Sequence, residues 1–99
     1  MIIGVPKEIK NHEYRVGLTP KSVKECVNNG HRVLVQTNAG AGIGASDDEY
    51  TTCGAEIIST AAGIFKAAEM IVKVKEPQAS EIAMLREGQI LYTYLHLAP

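Results

Sequence analysis

The sequence has 99 residues, of which 45% are hydrophobic and 21% charged, with a formal net charge of -1. This composition indicates one small soluble globular domain, and the near balance of 10 basic and 11 acidic residues argues against a nucleic-acid or anionic-membrane surface. No apolar stretch approaches the roughly 18 residues of a membrane span, and the N-terminus lacks the basic segment of a secretory signal. Cys26 and Cys53 lack metal-ligand spacing, which favours two reduced thiols in a cytoplasmic protein over a zinc site.

Strand and helix signals alternate along the chain. Short apolar and β-branched runs predict strands over residues 2–5, 32–36, 55–58, 70–75 and 89–97. Hydroxyl N-caps predict helices after Thr19, Ser46, Ser59 and Ser80, the last helix covering 81–87. Five strands separated by four short helices predict an α/β fold, a Rossmann-like or flavodoxin-like doubly wound sheet that is mostly parallel.

The segment "NAGAGIGAS" (38–46) invites a dinucleotide-binding interpretation, since Gly40, Gly42 and Gly44 lie between a strand and a helix. However, the third glycine of G-x-G-x-x-G would fall at Ala45, and no acidic residue ends a strand about 20 positions further on. We therefore favour a flexible surface loop over a cofactor site at this segment.

Three cationic or titratable side chains are expected at the carboxyl ends of the strands, where open α/β sheets bind ligands. Arg15 lies in the loop after the first strand, Lys75 closes the fourth strand, and His96 lies near the end of the fifth. An arginine binds a carboxylate through two hydrogen bonds, an ammonium polarises a carbonyl oxygen, and an imidazole passes a proton near neutral pH. Together they suit a small carboxylate with an adjacent carbonyl group.

These side chains also have simpler interpretations. Lys73 and Lys75 share one face of the fourth strand, so they could mark an exposed or edge strand, with Lys73 extending its ammonium to water. His96 shares a face with Tyr92 and Tyr94, where a lone histidine is usually a hydrogen-bonded core residue. Position favours Lys75 over Lys73, because the terminal residue of a strand has the shorter path into the crevice.

Five segments of the chain resemble the alanine dehydrogenase and pyridine-nucleotide transhydrogenase family. They are "GVPKEIKNHEYRVGLTPKSV", "GHRVLVQTNAGAGIG", "YTTCGAEII", "MIVKVKEP" and "LYTYLHLA". The combination of R-V-x-L-T-P, V-K-V-K-E-P and Y-L-H-L resembles alanine dehydrogenases more closely than transhydrogenases. Gly17 is a departure, since the family often has alanine there, and the glycine segment also differs from the usual loop of the family.

The resemblance implies an NAD-dependent L-alanine dehydrogenase, which reversibly converts L-alanine to pyruvate and ammonium. It implies that Arg15 binds the substrate carboxylate, that Lys75 contacts pyruvate or alanine, and that His96 is the proton donor or acceptor. Two alternatives stay open: a transhydrogenase N-terminal domain, and a stand-alone, non-catalytic domain that binds a small carboxylate.

The resemblance also implies a particular domain organisation. Residues 1–99 would be the N-terminal part of a discontinuous substrate domain, with an NAD-binding Rossmann domain and a C-terminal segment beyond Pro99. NAD would then be bound mainly by the missing domain, and the 99-residue piece by itself would be inactive. Members of the family assemble as homo-oligomers, commonly hexamers, so we expect the same of the full-length protein.

Overall fold

One sheet organises the computed structural model, which describes residues 1–94. Its strands are β1 (Ile2–Val5), β2 (Arg32–Gln36), β3 (Glu56–Ile58), β4 (Met70–Lys73) and β5 (Ile90–Thr93). Every neighbouring pair is parallel and the order is β3-β2-β1-β4-β5. Strands β2 and β3 therefore extend the sheet on one side of β1, and β4 and β5 extend it on the other side. The prediction of a doubly wound, Rossmann-like α/β fold is confirmed.

Four helices alternate with the strands. They are α1 (Pro20–Asn28), α2 (Asp47–Thr52), α3 (Ala61–Ala67) and α4 (Ala79–Ile82). Thr19 and Ser46 cap α1 and α2 as predicted, because their side-chain oxygens accept hydrogen bonds from backbone N–H groups three residues later. In the described part of the chain, no helix is long and apolar enough to cross a membrane.

The starts of the last two helices were predicted wrongly. Thr60, not Ser59, caps α3, and its hydroxyl accepts a hydrogen bond from the backbone N–H of Gly63. Helix α4 begins after Gln78 instead of Ser80, because the Glu81 carboxylate accepts the backbone N–H of Gln78 at 2.9 Å. This helix is a single turn and does not extend over 81–87, since the chain after Ile82 continues in tighter i→i+3 turns.

Three strands also differ in extent from the predicted ones. β3 begins one residue later than predicted, and β5 is formed by Ile90–Thr93, while residues 95–97 of the predicted strand lie outside the described part. β4 ends at Lys73 instead of residue 75 because the backbone N–H groups of Val74 and Lys75 bond to the Glu8 carboxylate. A side chain thus takes the hydrogen bonds that a neighbouring strand would otherwise supply.

Each face of the sheet buries its own apolar cluster, as expected for parallel strands covered by helices on both sides. On one face, Val33 and Val35 are wholly buried beside Val23 of α1 and Tyr50 of α2. The other face is covered by α3, and its cluster consists of Leu34, Ile64, Phe65, Ala68 and Ile71. The sheet is thereby held as a rigid platform whose carboxyl edge carries the polar side chains.

The structure overturns one interpretation of β4. This strand lies between β1 and β5, so it is neither exposed nor an edge strand. Lys73 is 1% exposed and does not extend to water. Its ammonium is instead neutralised within the protein, by carboxylates described below.

Candidate functional site

The carboxyl ends of β1 and β4 lie side by side where the strand order reverses. Open α/β sheets bind ligands in the crevice at such a switch point. The segment after β1 brings Glu8, Glu13 and Arg15 to this edge, and the end of β4 brings Lys73 and Lys75. Together with Glu81 of α4, these side chains form two ion clusters.

The inner cluster consists of Glu8, Lys73 and Glu81. The Lys73 Nζ lies 2.9 Å from Glu8 Oε1 and 3.4 Å from Glu81 Oε2, and the three side chains are only 1–2% exposed. Within residues 1–94, Glu81 Oε2 makes no hydrogen bond, and the Lys73 ammonium is its ion-pair partner. Buried charges of this kind require such pairing, because removing them from water is costly.

Glu8 also fixes the backbone that leads to the predicted site lysine. Its Oε2 accepts a hydrogen bond from Val74 N at 3.0 Å, and its Oε1 accepts one from Lys75 N at 3.2 Å. Glu8, three residues after β1, therefore determines how the chain leaves β4. The backbone of Lys75 is thus held in place by a buried carboxylate, and this fixes the point from which its side chain extends.

The outer cluster consists of Glu13, Arg15 and Lys75, at the rim of the same edge. Arg15 donates from Nε to Glu13 Oε2 at 3.0 Å and from Nη2 to Glu13 Oε1 at 2.9 Å. The Lys75 Nζ lies 4.0 Å from Glu13 Oε1. The side chain of Glu13 is 4% exposed, whereas those of Arg15 and Lys75 are 62% and 18% exposed. Two cations thus converge on one carboxylate at an open surface.

The charge state of the outer cluster follows from these contacts. Hydrogen bonding from the Arg15 side chain is the main reason that the pKa of Glu13 falls from 4.5 to about 2, and the charge of Lys75 adds to the effect. The same hydrogen bond raises the pKa of Arg15 above its ordinary value. At neutral pH Glu13 is therefore an anion between two cations.

A depression of about 390 Å³ opens beside the outer cluster. It is lined by the segment after β1, including Glu13 and Arg15, and by the start of the glycine-rich segment, including Asn38 and Gly42. Gly42 is needed for this packing, because a Cβ at that position would lie 2.1 Å from the carbonyl oxygen of Tyr14. The depression is of the size that small-molecule sites occupy.

The glycine-rich segment does not suit a dinucleotide. It contains a single 3-10 turn at Ala41–Ile43, and the helix that follows has three acidic residues in its first turn. The Asp47 carboxylate faces back toward the segment and accepts hydrogen bonds from Thr37 Oγ1 at 2.6 Å and Asn38 N at 2.9 Å. These anions occupy the helix N-terminus at which a pyrophosphate would otherwise be bound.

Of the three predicted site residues, the structure brings Arg15 and Lys75 together. His96 lies outside the described residues, so its place remains a prediction. Tyr94, two residues before it, donates a hydrogen bond from its hydroxyl to the Gly17 carbonyl. This hydrogen bond connects the end of β5 to the loop that carries Arg15.

Sequence reasoning missed Glu8 and Glu13 and assigned Lys73 to the wrong environment. The available signals were a glutamate three residues after the first strand and another two residues before Arg15. Gly17, the departure noted above, is in tight contact: a Cβ there would lie 2.4 Å from the Val72 carbonyl oxygen. An alanine at this position therefore requires the Arg15 loop to lie further from β4.

Comparison with known proteins identifies similar chains. The family described as alanine dehydrogenase/PNT, N-terminal domain, matches residues 4–99. The alanine dehydrogenase of Methanococcus maripaludis is 57% identical over 99 residues, and that of Bacillus subtilis is 55% identical over 98 residues. These alignments cover 100% and 99% of this chain but 26% of each relative. The chain thus spans about a quarter of the length of the curated relatives it matches.

Two solved structures are also similar to this chain. An L-alanine dehydrogenase superposes with a TM-score of 0.92 and 49% identity, covering 98% of this chain and 27% of its own. A transhydrogenase from Sinorhizobium meliloti superposes with a TM-score of 0.89 and 34% identity, covering 96% of this chain and 27% of its own. The fold is common to both, and the sequence is closer to the first.

Proposed function

The chain belongs to the alanine dehydrogenase/PNT N-terminal domain family, and on this premise we propose that it is the substrate-binding N-terminal part of an NAD-dependent L-alanine dehydrogenase. The reaction would be the reversible oxidative deamination of L-alanine to pyruvate and ammonium. The alanine dehydrogenase relatives, at 57% and 55% identity, favour this reaction over that of the transhydrogenase, which is 34% identical.

The outer cluster is the observation that supports the proposal most directly. Arg15 and Lys75 already converge on one carboxylate, and the cluster of two cations and one anion has a surplus positive charge beside an open depression. A small keto acid or amino acid presents a carboxylate of the same kind. Arginine is the side chain best matched to such a group, because its planar fork supplies two parallel hydrogen bonds.

Each residue has a distinct role in the proposed mechanism. Arg15 binds the carboxylate of pyruvate, and the Lys75 ammonium donates a hydrogen bond to the keto oxygen, which makes the carbonyl carbon more electrophilic. His96 transfers protons as the carbonyl, carbinolamine and imine forms of the substrate interconvert. NAD would accept or supply the hydride. Because the glycine-rich segment does not suit a dinucleotide, we propose that NAD is bound mainly outside these 99 residues.

The organisation of the full protein is part of the same proposal. We propose that residues 1–99 form the first part of a substrate domain completed by later residues, and that the 99-residue piece by itself does not turn over substrate. On the same ground we propose that the full-length enzyme is homo-oligomeric and cytoplasmic. Sedimentation of the full-length protein measures the oligomeric state directly.

The decisive experiment is an assay of the full-length natural protein that contains this chain. We expect oxidation of NADH that requires both pyruvate and ammonium. Hydride exchange between two nicotinamide nucleotides, with no requirement for pyruvate, would instead identify a transhydrogenase. Pyruvate binding without oxidation of NADH would identify a non-catalytic carboxylate-binding domain.

The role of His96 has its own test within that assay. Replacing His96 by Ala should lower turnover by about 100- to 10,000-fold, the usual contribution of a general acid or base. Pyruvate should still bind, because Arg15 and Lys75 are unchanged. Substantial residual turnover would show that another group transfers the proton.

A further inference from the structure

We propose that Glu13 is a positioning residue for the substrate carboxylate: it holds one edge of the Arg15 guanidinium and leaves the other edge for the substrate. This inference rests on the proposed function, since it assigns a task within that same site. It concerns a residue that neither the sequence pattern nor the proposed mechanism requires.

The geometry of the guanidinium carries the argument. Glu13 accepts hydrogen bonds from Nε and Nη2 of Arg15, at 3.0 and 2.9 Å, and so occupies the side-on edge. A guanidinium has five N–H donors in one plane, so the end-on edge between Nη1 and Nη2 retains a second pair. No acceptor among residues 1–94 bonds to Nη1 of Arg15. A second carboxylate can therefore bind Arg15 bidentately without displacing Glu13.

Glu13 is rigid enough to serve as this anchor. Its side chain is 4% exposed, and its Oε2 also accepts the backbone N–H of Arg15 at 2.9 Å. Arg15 itself is 62% exposed, and Glu13 is its only hydrogen-bonded partner among residues 1–94. Without that partner the arginine would sample several rotamers, and ordering it would weaken substrate binding.

Glu13 also controls the relation between the two site cations. The Lys75 Nζ lies 4.0 Å from Glu13 Oε1, close enough for attraction but beyond hydrogen-bond distance. The ammonium is therefore attracted toward Glu13 without donating a hydrogen bond to it. Without the carboxylate between them, the two cations would repel each other.

The opposite interpretation makes the opposite prediction. If Glu13 occupied the position of the substrate carboxylate, the substrate would have to displace it, and Glu13 would be an internal competitor. Removing its charge would then tighten pyruvate binding. The free edge of Arg15 is the reason for preferring the positioning role.

The test is the Glu13→Gln variant of the full-length protein, assayed for pyruvate- and ammonium-dependent oxidation of NADH. Glutamine keeps the size of the side chain but has only one acceptor oxygen, so the double hydrogen bond to Arg15 is lost. We expect the KM for pyruvate to rise roughly tenfold while kcat changes by less than about threefold. Glu13→Asp, which keeps the charge but is shorter, should give an intermediate KM.

Glu76→Gln is the matched control, because it removes the same charge close to the site. The Glu76 carboxylate pairs with Lys10, and the charge of Lys75 also acts on it. The KM for pyruvate should stay within about twofold of the wild-type value in this variant. An equal rise in both variants would mean that only the local field matters, and the positioning role would be rejected.

Three further results would overturn the inference: a lower KM in Glu13→Gln, an unchanged KM, or a loss confined to kcat. Calorimetric titration of the same proteins with pyruvate separates this inference from the proposed function. If wild type binds pyruvate without oxidising NADH, the proposed reaction fails, yet weaker binding by Glu13→Gln would still support positioning. If pyruvate binds equally well to both proteins, or to neither, the positioning role fails.

Discussion

The inner and outer clusters use the same chemical groups for different purposes. The inner cluster has one cation and two anions and is almost completely buried, whereas the outer cluster has two cations and one anion and reaches solvent mainly through Arg15, whose side chain is 62% exposed. In the dry interior each charged group must find its partners within the protein, so the two inner carboxylates accept backbone hydrogen bonds and share one ammonium. At the rim, water solvates the surplus positive charge, and this charge remains available to a ligand.

Lys73 and Lys75 show how small the difference in sequence is. They are two residues apart, yet Lys73 is 1% exposed and belongs to the inner cluster, while Lys75 belongs to the outer one. The separation arises because Glu8 ends β4 and redirects the chain after Lys73. The Glu8 side chain, close to the switch point, thus places Lys73 in a structural role and leaves Lys75 as the candidate binding residue.

Removing the Lys73 ammonium should lower the stability of the protein more than any other substitution proposed. Lys73→Met leaves the buried carboxylates of Glu8 and Glu81 without a cation to pair with, and we expect the free energy of unfolding to fall by about 3–5 kcal/mol. Lys75→Met is the matched control, and it should cost less than about 1 kcal/mol. Its ammonium lies 4.0 Å from Glu13, and Glu13 keeps its hydrogen bonds from Arg15 in this variant. Urea denaturation of the full-length variants measures both. Equal losses would show that the two clusters do not differ in the way described.

Replacing the outer arginine should affect binding and leave folding nearly unchanged. In Arg15→Lys, an ammonium cannot supply two parallel hydrogen bonds, and we expect the KM for pyruvate to rise roughly 10- to 100-fold with a smaller change in kcat. The urea midpoint should stay close to that of wild type. Steady-state kinetics with varied pyruvate checks this, and an unchanged KM would rule out the carboxylate-binding role.

Displacing the loop that carries Arg15, without replacing a residue of either cluster, should raise the KM for pyruvate less than Arg15→Lys does. In Gly42→Ala the new Cβ would lie 2.1 Å from the Tyr14 carbonyl oxygen, so the loop that carries Arg15 must shift. We expect a several-fold rise in the KM for pyruvate. Gly44→Ala is the control: its φ is +76° and no atom lies within 4 Å, so it should cost about 1 kcal/mol of stability through backbone strain alone. Kinetics and urea denaturation distinguish the two, and a matching KM rise in Gly44→Ala would refute the explanation.

The pH dependence of stability tests the pairing of Glu13 with Arg15. The pKa of Glu13 is 4.5 in the absence of its contacts and about 2 in the folded protein. Its ionised form therefore stabilises the protein fully above pH 4.5, and this contribution is lost as the pH falls toward 2. The difference in unfolding free energy between wild type and Glu13→Gln should shrink over that range. Urea titrations at several pH values measure it, and a constant difference would contradict the assigned pKa.

Local patterns in the sequence were sufficient for the architecture and for part of the candidate site. Alternating strand and helix signals predicted the parallel doubly wound sheet, and Thr19 and Ser46 marked two helix starts, because strand periodicity and capping act over a few residues. Arg15 and Lys75 were chosen because strand ends meet at one edge of such a sheet. The role of His96 rests on the sequence alone.

The tertiary structure decided which charged groups meet. Glu8 bonds to Lys73 across a separation of 65 residues, and no local pattern encodes a pairing between a loop after one strand and the end of another. Glu13 is close to Arg15 in sequence, but its burial and its distance from Lys75 depend on how the two strand ends pack. Burial and long-range electrostatics are properties of the assembled sheet. They show that Lys73 is a structural residue, whereas the sequence favours Lys75 as the site lysine only by its position at the strand end.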